Sequence, residues 1–159
     1  MNASYYIDHL ALLPHPEGGY YKQTYQSPLI VEPPAGSRPV STAIFYLLEQ
    51  GDFSAFHTLK SDECWHFYAG STLLIHIIEP NGNYYCTSLG NQKDEQLQFI
   101  VPAGVWFSAE PAPSTSFALV GCTVAPGFVY EDFAMARMGQ LLEMFPQHSG
   151  LIRRLCRRG

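Results

Sequence analysis

The stretch GDFSAFHTLKSDECWHFYAG (51–70) contains two short runs with the alternating pattern of extended chain. In the first run His57 shares a face with Leu59, and in the second run Glu63 shares a face with Trp65. Pairing of the two runs as a hairpin predicts that His57 and Glu63 lie on one face of a sheet. An imidazole and a carboxylate are costly to bury among apolar neighbours unless they pair or bind something. His57 and Glu63 are therefore the first candidates for a functional site.

Runs of strand-forming residues separated by turn signals extend from this stretch in both directions. The Asn-Gly pair at 81–82 is a strong hairpin signal. No segment of helical length separates the strands, which favours a sandwich or jelly roll over a parallel sheet. The predicted strands are 41–48, 54–59, 63–70, 72–80, 83–90, 96–102, 106–110 and 115–126.

Helical patterns occur only near the two ends of the chain. Residues 5–13 predict a short N-terminal helix, and 130–145 predict an amphipathic helix with acidic residues in its first turn. Residues 151–158 predict a last short helix, and we expect these helices to pack against the outside of the sheet. No linker or repeat divides the chain, so we predict one domain over 1–159, with the β-barrel at about 18–128 and a helical segment at about 129–159.

The charge of the chain is uneven. The net charge is -5, and residues 1–150 hold five basic and fourteen acidic residues. Such a surface should repel nucleic acid, and the four arginines in the last seven positions are expected to form a solvated helical end. No apolar run approaches the roughly 20 residues that span a bilayer. The first residues lack the basic region of a signal peptide, so we expect a cytoplasmic protein that binds neither nucleic acid nor membrane.

The spacing of the central stretch carries a family resemblance. Gly51, His57, Glu63 and Gly70 stand as in the first cupin motif, G-x5-H-x-H-x3-E-x6-G. Leu59 occupies the place of the second histidine. The frame is therefore retained with one hydrocarbon side chain at a metal-ligand position.

The second cupin motif survives only in part, within IVPAGVWF. Gln96 stands at its glycine, Phe107 at its histidine and Pro111 at its asparagine. The segments GCTVAPGFVYEDFAMA (121–136) and HPEGGYY (15–21) resemble the small, largely uncharacterised cupin-5 family. The resemblance implies a mainly β fold, the cupin double-stranded β-helix or jelly roll, and a homodimer.

The resemblance also bears on metal binding. A typical cupin metal site uses three histidines and a carboxylate. Two of those four positions are hydrocarbon side chains here, which would leave His57 and Glu63 as the ligands of any divalent metal. We predict no cofactor, although a neighbouring side chain could complete the set. The candidates for that role are His66, His76, Tyr46 and Cys122.

Without a metal, His57 and Glu63 have a second use. A carboxylate that orients an imidazole makes it a competent general base at neutral pH. The cupin superfamily includes metal-free sugar-nucleotide epimerases with a histidine base and a tyrosine acid, which the resemblance extends to this chain as an expectation. We take His57, Glu63 and Tyr46 as the catalytic candidates. Tyr20, Tyr21 and Tyr25 are alternatives for the acid, and a purely structural His57–Glu63 pair is the alternative for the whole set.

Six further residues are candidates for ligand binding. Aromatic side chains can form a wall for a sugar ring, and the segment before the barrel supplies charged and hydroxyl groups near its mouth. Core packing and a solvated surface are the alternative interpretations. The six are Glu17, Tyr21, Lys22, Trp65, Trp106 and Phe107.

Two classes of function follow from these residues. The first is an isomerase or epimerase that uses acid-base chemistry on a sugar, a nucleotide sugar or a related polar metabolite. The second is a ligand-binding or regulatory module without turnover. A divergent metal-dependent cupin enzyme is a weaker third class. In each class the partner is a small molecule.

Overall fold

The computed structural model describes residues 1–158, which form two antiparallel β-sheets with short helices outside them. The helices are α1 (Ala3–His9), α2 (Met138–Met144) and α3 (Ser149–Leu155). The strands are β1 (Leu13–Pro14), β2 (Tyr20–Gln26), β3 (Ile30–Val31), β4 (Arg38–Pro39), β5 (Thr42–Glu49), β6 (Ser54–Thr58), β7 (Asp62–Gly70), β8 (Leu73–Ile78), β9 (Tyr84–Leu89), β10 (Gln98–Val101), β11 (Trp106–Pro111), β12 (Phe117–Ala125) and β13 (Ala134–Met135).

The strands divide between a six-stranded and a five-stranded sheet. The six-stranded sheet has the order β1-β2-β5-β12-β7-β10, and the five-stranded sheet has the order β13-β6-β11-β8-β9. The strands β3 and β4 form a separate two-stranded ribbon. This arrangement is the jelly roll predicted from the sequence, and the eight predicted strands lie within a few residues of their expected positions.

The helix ends follow local chemistry. The side chain of Asn2 caps α1 by accepting a hydrogen bond of 2.9 Å from the backbone N–H of Tyr5. Each α-helix within residues 1–158 has seven residues, and none is long and apolar enough to cross a bilayer.

The predicted hairpin at the centre of the chain is wrong. The strand β6 pairs with β11 and β13, whereas β7 pairs with β10 and β12 in the other sheet. The chain therefore crosses from one sheet to the other over residues 59–61. In a hairpin, β6 and β7 would lie in one sheet with their apolar faces on the same side of it. Because the chain crosses over, the apolar face of β6 packs against that of β7 in the other sheet, and both are buried.

The interior between the sheets holds most of the large apolar side chains. Trp65, Ile75, Ile77 and Phe107 are almost fully buried there. Alternation along β6 turns His57 towards this interior and Phe56 away from it. Phe56 packs against α2 and α3 on the outer face.

The helices cover the outside of the sheets, as predicted. Leu141 and Ile152 from α2 and α3 pack with Phe56 and Ile78 of the five-stranded sheet. The helix α1 covers Leu47 on the outer face of the six-stranded sheet. Burial of these apolar faces stabilises helices that are too short to be stable alone.

The predicted helix over 130–145 forms only in its second half. Residues 130–132 make a 3-10 turn, and β13 pairs with β6 beside His57. Two contacts explain the extended chain here. Phe133 turns into the space between the sheets, and Asp132 accepts two hydrogen bonds of 2.8 Å from the Arg38 guanidinium.

The arginine-rich tail is solvated at Arg153, Arg154 and Arg158, as predicted, but Arg154 and Arg157 also contact carboxylates of the barrel. Arg154 contacts Glu110 at 2.5 Å, and Arg157 contacts Asp52 at 2.9 Å. Arg153 and Arg158 are exposed. The periodicity of the tail predicted the helix correctly, but it carried no information about the carboxylates that β11 and the chain after β5 bring to it.

We expect Ile152→Ala to lower the free energy of unfolding by about 2–5 kcal/mol, because Ile152 is fully buried against the sheet. Urea unfolding followed by circular dichroism measures this change. Met144→Ala in the neighbouring helix is the control, since Met144 is 56% exposed. The control should change the free energy by less than about 0.5 kcal/mol. Equal effects of the two substitutions would contradict the packing described for α3.

Candidate functional site

A cavity of about 200 Å³ lies between the two sheets. Its wall combines apolar and aromatic side chains with two carboxylates and two imidazoles. A concave, largely apolar site with a few convergent polar groups is the usual form of a small-molecule site. The two imidazoles are His15 and His57, and the two carboxylates are Glu17 and Glu63.

The orientation of His57 is fixed by the backbone. Its Nδ1 lies 2.7 Å from the carbonyl oxygen of Ala55, which can only accept a hydrogen bond. The proton of the neutral ring is therefore on Nδ1, and Nε2 has a free lone pair. Within residues 1–158 no side chain or backbone group bonds to Nε2. Burial lowers the pKa of His57, so the ring is neutral at pH 7.

The carboxylate beside His57 is Glu17. Oε2 of Glu17 lies 3.3 Å from Nδ1 of His57 and accepts a hydrogen bond of 3.2 Å from the hydroxyl of Ser54. Burial raises the pKa of Glu17 to about 7, and His15, Ser54 and Arg157 oppose the rise. A large fraction of Glu17 is therefore protonated near neutral pH.

His15 also has a fixed tautomer. Its Nδ1 accepts a hydrogen bond of 3.0 Å from the backbone N–H of Glu17, which leaves the proton on Nε2. That nitrogen lies 3.9 Å from Oε1 of Glu17. Burial lowers the pKa of His15, so this imidazole is neutral at pH 7 as well.

Glu63 faces the cavity from the opposite sheet. Its Oε1 accepts a hydrogen bond of 2.8 Å from the indole N–H of Trp65. Burial raises the pKa of Glu63 to about 7; the charge of Glu17 raises it further, and His57 lowers it when its ring is protonated. No hydrogen bond joins Glu63 to His57 in the described part of the chain. The two share the cavity as predicted, but they influence each other through charge across it.

The hydroxyl group of Tyr46 is already engaged. It donates a hydrogen bond of 2.6 Å to the carbonyl oxygen of Gly18, and burial raises its pKa well above the usual value. Tyr46 lines the cavity as an uncharged group whose proton points at the backbone. Its predicted role as the acid stays a prediction.

The remaining predicted ligand-binding residues separate into two groups. Tyr21 and Trp65 line the cavity, and Phe107 lies beneath His57 with ring centroids 4.1 Å apart. The placement of Lys22 and Trp106 needs correction. Alternation along β2 and β11 turns both away from the cavity, so Lys22 is exposed and Trp106 packs towards the C-terminal helices.

Other residues that the sequence did not single out complete the wall. Phe128, Tyr130 and Phe133 come from the segment after β12, and Ser54 comes from β6. His15 belongs to the quoted HPEGGYY segment, which was the one signal that could have identified it. Tyr130 and Phe133 fell within the predicted helix 130–145, which hid their place in the cavity, and Phe128 was not singled out.

The donor set does not fit a cupin metal centre. Leu59 and Phe107 stand at two of the four ligand positions, and His66 and His76 lie on outer faces of the sheets. Cys122 lines the cavity, but burial raises its thiol pKa well above the usual value. Within residues 1–158, no three His, Cys, Asp or Glu side chains are grouped closely enough to hold a metal ion.

These contacts define what the cavity can do chemically. Nε2 of His57 can accept a proton, and Glu63 can donate one near pH 7. The groups lie on opposite walls, because β6 and β7 belong to different sheets. A small molecule between them would meet a base on one side and an acid on the other.

Known proteins share both the sequence and the fold of this chain. A protein of Saccharomyces cerevisiae named as uncharacterized is 29% identical over 143 residues, 79% of this chain and 71% of its own. A hypothetical protein from Leishmania major has a structure with a TM-score of 0.94 and 33% identity, covering 99% of this chain and 100% of its own. A protein from Shewanella oneidensis has a TM-score of 0.92 and 38% identity, covering 100% and 99%.

More distant structures share the fold alone. Oxalate decarboxylase from Bacillus subtilis has a TM-score of 0.57 and 16% identity, covering 89% of this chain and 36% of its own.

The family model described as Cupin superfamily (DUF985) matches residues 4–136. By this match and the shared jelly roll, the chain belongs to the DUF985 family of the cupin superfamily.

Proposed function

We propose that this cupin binds a small polar metabolite and isomerises or epimerises it by acid-base catalysis without a metal. One observation carries the proposal: the lone pair of His57 Nε2 and the carboxyl group of Glu63 face the same cavity from opposite sheets. Enzymes of this kind need a base and an acid whose pKa values lie near the working pH. The pKa of Glu63, raised to about 7, suits the acid, and the lowered pKa of His57 leaves its Nε2 unprotonated and able to act as the base.

The proposed reaction begins at a C–H bond next to a carbonyl group. Nε2 of His57 takes the proton, and the electron pair of the broken bond moves into an enolate. Glu63, in its protonated form, returns a proton to the same carbon from the opposite face, which inverts the centre. The products on the protein are an imidazolium and a carboxylate, which are reset by proton exchange with water.

Glu17 supports the proton transfer in this scheme. Its Oε2 lies 3.3 Å from Nδ1 of His57, so a negative charge there stabilises the imidazolium that forms. The hydrogen bond to Ala55 keeps Nδ1 protonated throughout, and the proton that moves is always the one on Nε2. His57 thus has an orienting backbone acceptor and a neighbouring carboxylate.

The cavity volume favours a substrate the size of a single ring. A cavity of about 150 Å³ holds benzene, and this one of about 200 Å³ suits a substituted six-membered ring such as a sugar. A nucleotide attached to the sugar would have to lie outside the cavity. The indole of Trp65 and the phenol of Tyr21 offer apolar faces to such a ring.

A binding module without turnover is the second candidate. The observation that favours it is the hydrogen bond from the Tyr46 hydroxyl to Gly18, which engages the one tyrosine proposed as the acid by analogy with the metal-free epimerases of the cupin superfamily. In this case the same cavity would hold its ligand without proton transfer.

We expect His57→Gln and Glu63→Gln each to lower kcat by about 10²–10⁴-fold, because each removes one proton-transfer group. Glutamine at 63 keeps an oxygen to accept from Trp65, so the wall should stay intact. The assay is incorporation of deuterium from D₂O into sugars and nucleotide sugars, followed by proton NMR. Lys22→Ala is the control, since Lys22 is exposed outside the cavity.

A ligand that binds the wild type and His57→Gln equally well, with no deuterium incorporated by either, would contradict turnover and favour the binding module. Loss of deuterium incorporation in Lys22→Ala as well would show that the effect is not specific to the cavity.

Activity should follow a bell-shaped pH profile. His57 must be neutral to act as base, so kcat/KM falls below its pKa, which burial places under 6.5. Glu63 must be protonated to act as acid, so kcat/KM falls as pH rises through about 7. The charge of Glu17 raises the pKa of Glu63, so Glu17→Gln should move the alkaline limb to lower pH. A rate that keeps rising above pH 8 would contradict this assignment.

A further inference from the structure

The side chain of Arg157 reaches the chain segment that carries Glu17. Its Nη2 lies 2.9 Å from the backbone oxygen of Glu17, 2.7 Å from the backbone oxygen of Phe53 and 2.9 Å from Oδ1 of Asp52. The guanidinium also lies over the ring of Phe53, 3.9 Å from its centroid. One side chain beyond the last helix therefore joins the segment of Glu17, which lines the cavity, to the segment of Asp52 and Phe53.

Asp52 bridges Arg157 and the turn that follows Glu17. Its Oδ2 accepts a hydrogen bond of 2.8 Å from the backbone N–H of Gly19, while Oδ1 faces Arg157. From the cavity side, the hydroxyl of Tyr46 bonds to the carbonyl of Gly18. The turn is thus held from both sides, by Tyr46 inside and by Arg157 with Asp52 outside.

The turn itself is built to admit these contacts. Gly18 has φ +109° and Gly19 has φ +77°, values that other residues rarely adopt. A β-carbon at Gly18 would collide with Nη2 of Arg157 and with the backbone oxygen of Phe53. The close approach of the guanidinium therefore depends on glycine at this position.

The position of the turn decides where the carboxylate of Glu17 lies. Its backbone oxygen is held by Arg157 and, at 3.4 Å, by the N–H of Ala55, whose own carbonyl orients His57. Without Arg157, the backbone oxygen of Glu17 would keep only the longer hydrogen bond of 3.4 Å from the N–H of Ala55. A shift of the carboxylate would change its distance to Nδ1 of His57.

We propose that Arg157 is a positioning residue, which holds Glu17 at its working distance from His57 by clamping the Glu17–Gly19 turn from outside the barrel. The inference rests on the proposed function for its effect on catalysis. Its effect on the turn and on the carboxylate is independent of any substrate.

The experiment compares Arg157→Ala and Arg157→Lys with Arg158→Ala, an exposed arginine of the same tail. Hydrogen exchange of the Gly19 amide reports the clamp, and ¹³C NMR titration of the carboxyl carbon reports the pKa of Glu17. In Arg157→Ala we expect exchange at least tenfold faster and a Glu17 titration at higher pH, because a nearby cation is lost. Arg157→Lys retains the charge and should fall between Arg157→Ala and the wild type.

Turnover gives the second readout. We expect kcat of Arg157→Ala to fall at least tenfold with KM within twofold of the wild type, and Arg158→Ala to match the wild type. Faster Gly19 exchange with an unchanged Glu17 titration and unchanged kcat would overturn the inference, since that result describes a merely structural brace. Equal behaviour of Arg157→Ala and Arg158→Ala would overturn it as well.

The two proposals fail in distinguishable ways. A wild type without turnover on any sugar tested would contradict the proposed function, while Gly19 exchange and the Glu17 titration would still decide the role of Arg157. An active wild type with an equally active Arg157→Ala would contradict the positioning role alone.

Discussion

The hydrogen bond from Nδ1 of His57 to the carbonyl of Ala55 determines what the site can do. A backbone carbonyl cannot donate a proton, so the contact fixes the tautomer and directs the free lone pair of Nε2 away from the backbone. The chemistry proposed for the cavity depends on this assignment. A reversed tautomer would present a donor to the substrate and leave no base on this wall.

The second constraint is that two carboxyl groups are buried without a strong partner that would keep them ionised. Glu17 and Glu63 both have a pKa raised to about 7, and in each case burial is the largest cause. The groups that oppose the rise do not cancel it: at Glu17 they are His15, Ser54 and Arg157, and at Glu63 they are His57 and the indole N–H of Trp65. A carboxyl group held in this state can carry a proton at neutral pH, which is what general acid catalysis requires. The cavity thus keeps the cupin architecture, and the chemistry that we propose for it uses proton transfer.

The sequence predicted the strands, the jelly roll and the inward faces of His57 and Glu63, because alternation has a fixed period and decides which side of a strand is buried. It could not decide which sheet each strand joins, so the hairpin was wrong although both side chains meet the same cavity. Alternation also separates Trp106 from Phe107, yet the sequence does not say which of the two faces inward.

Contacts between segments that are far apart in the chain could not be predicted from local sequence patterns. Glu17 lies 40 positions from His57 and no local pattern joins them. Phe133 has the spacing of a helix, but the pairing of Asp132 with Arg38 holds this segment extended over the cavity. The tail arginines had the charge of a solvated helix end, whereas Arg157 binds oxygens of Glu17 on one segment and of Asp52 and Phe53 on another.

Nitrogen-15 NMR of the His57 ring across a pH titration tests the central claim most directly, since it reports both the tautomer and the pKa of the imidazole. The account predicts a neutral ring at pH 7 with the proton on Nδ1 and a pKa below 6.5. A ring protonated on Nε2 at pH 7, or one that titrates above 6.5, would contradict it.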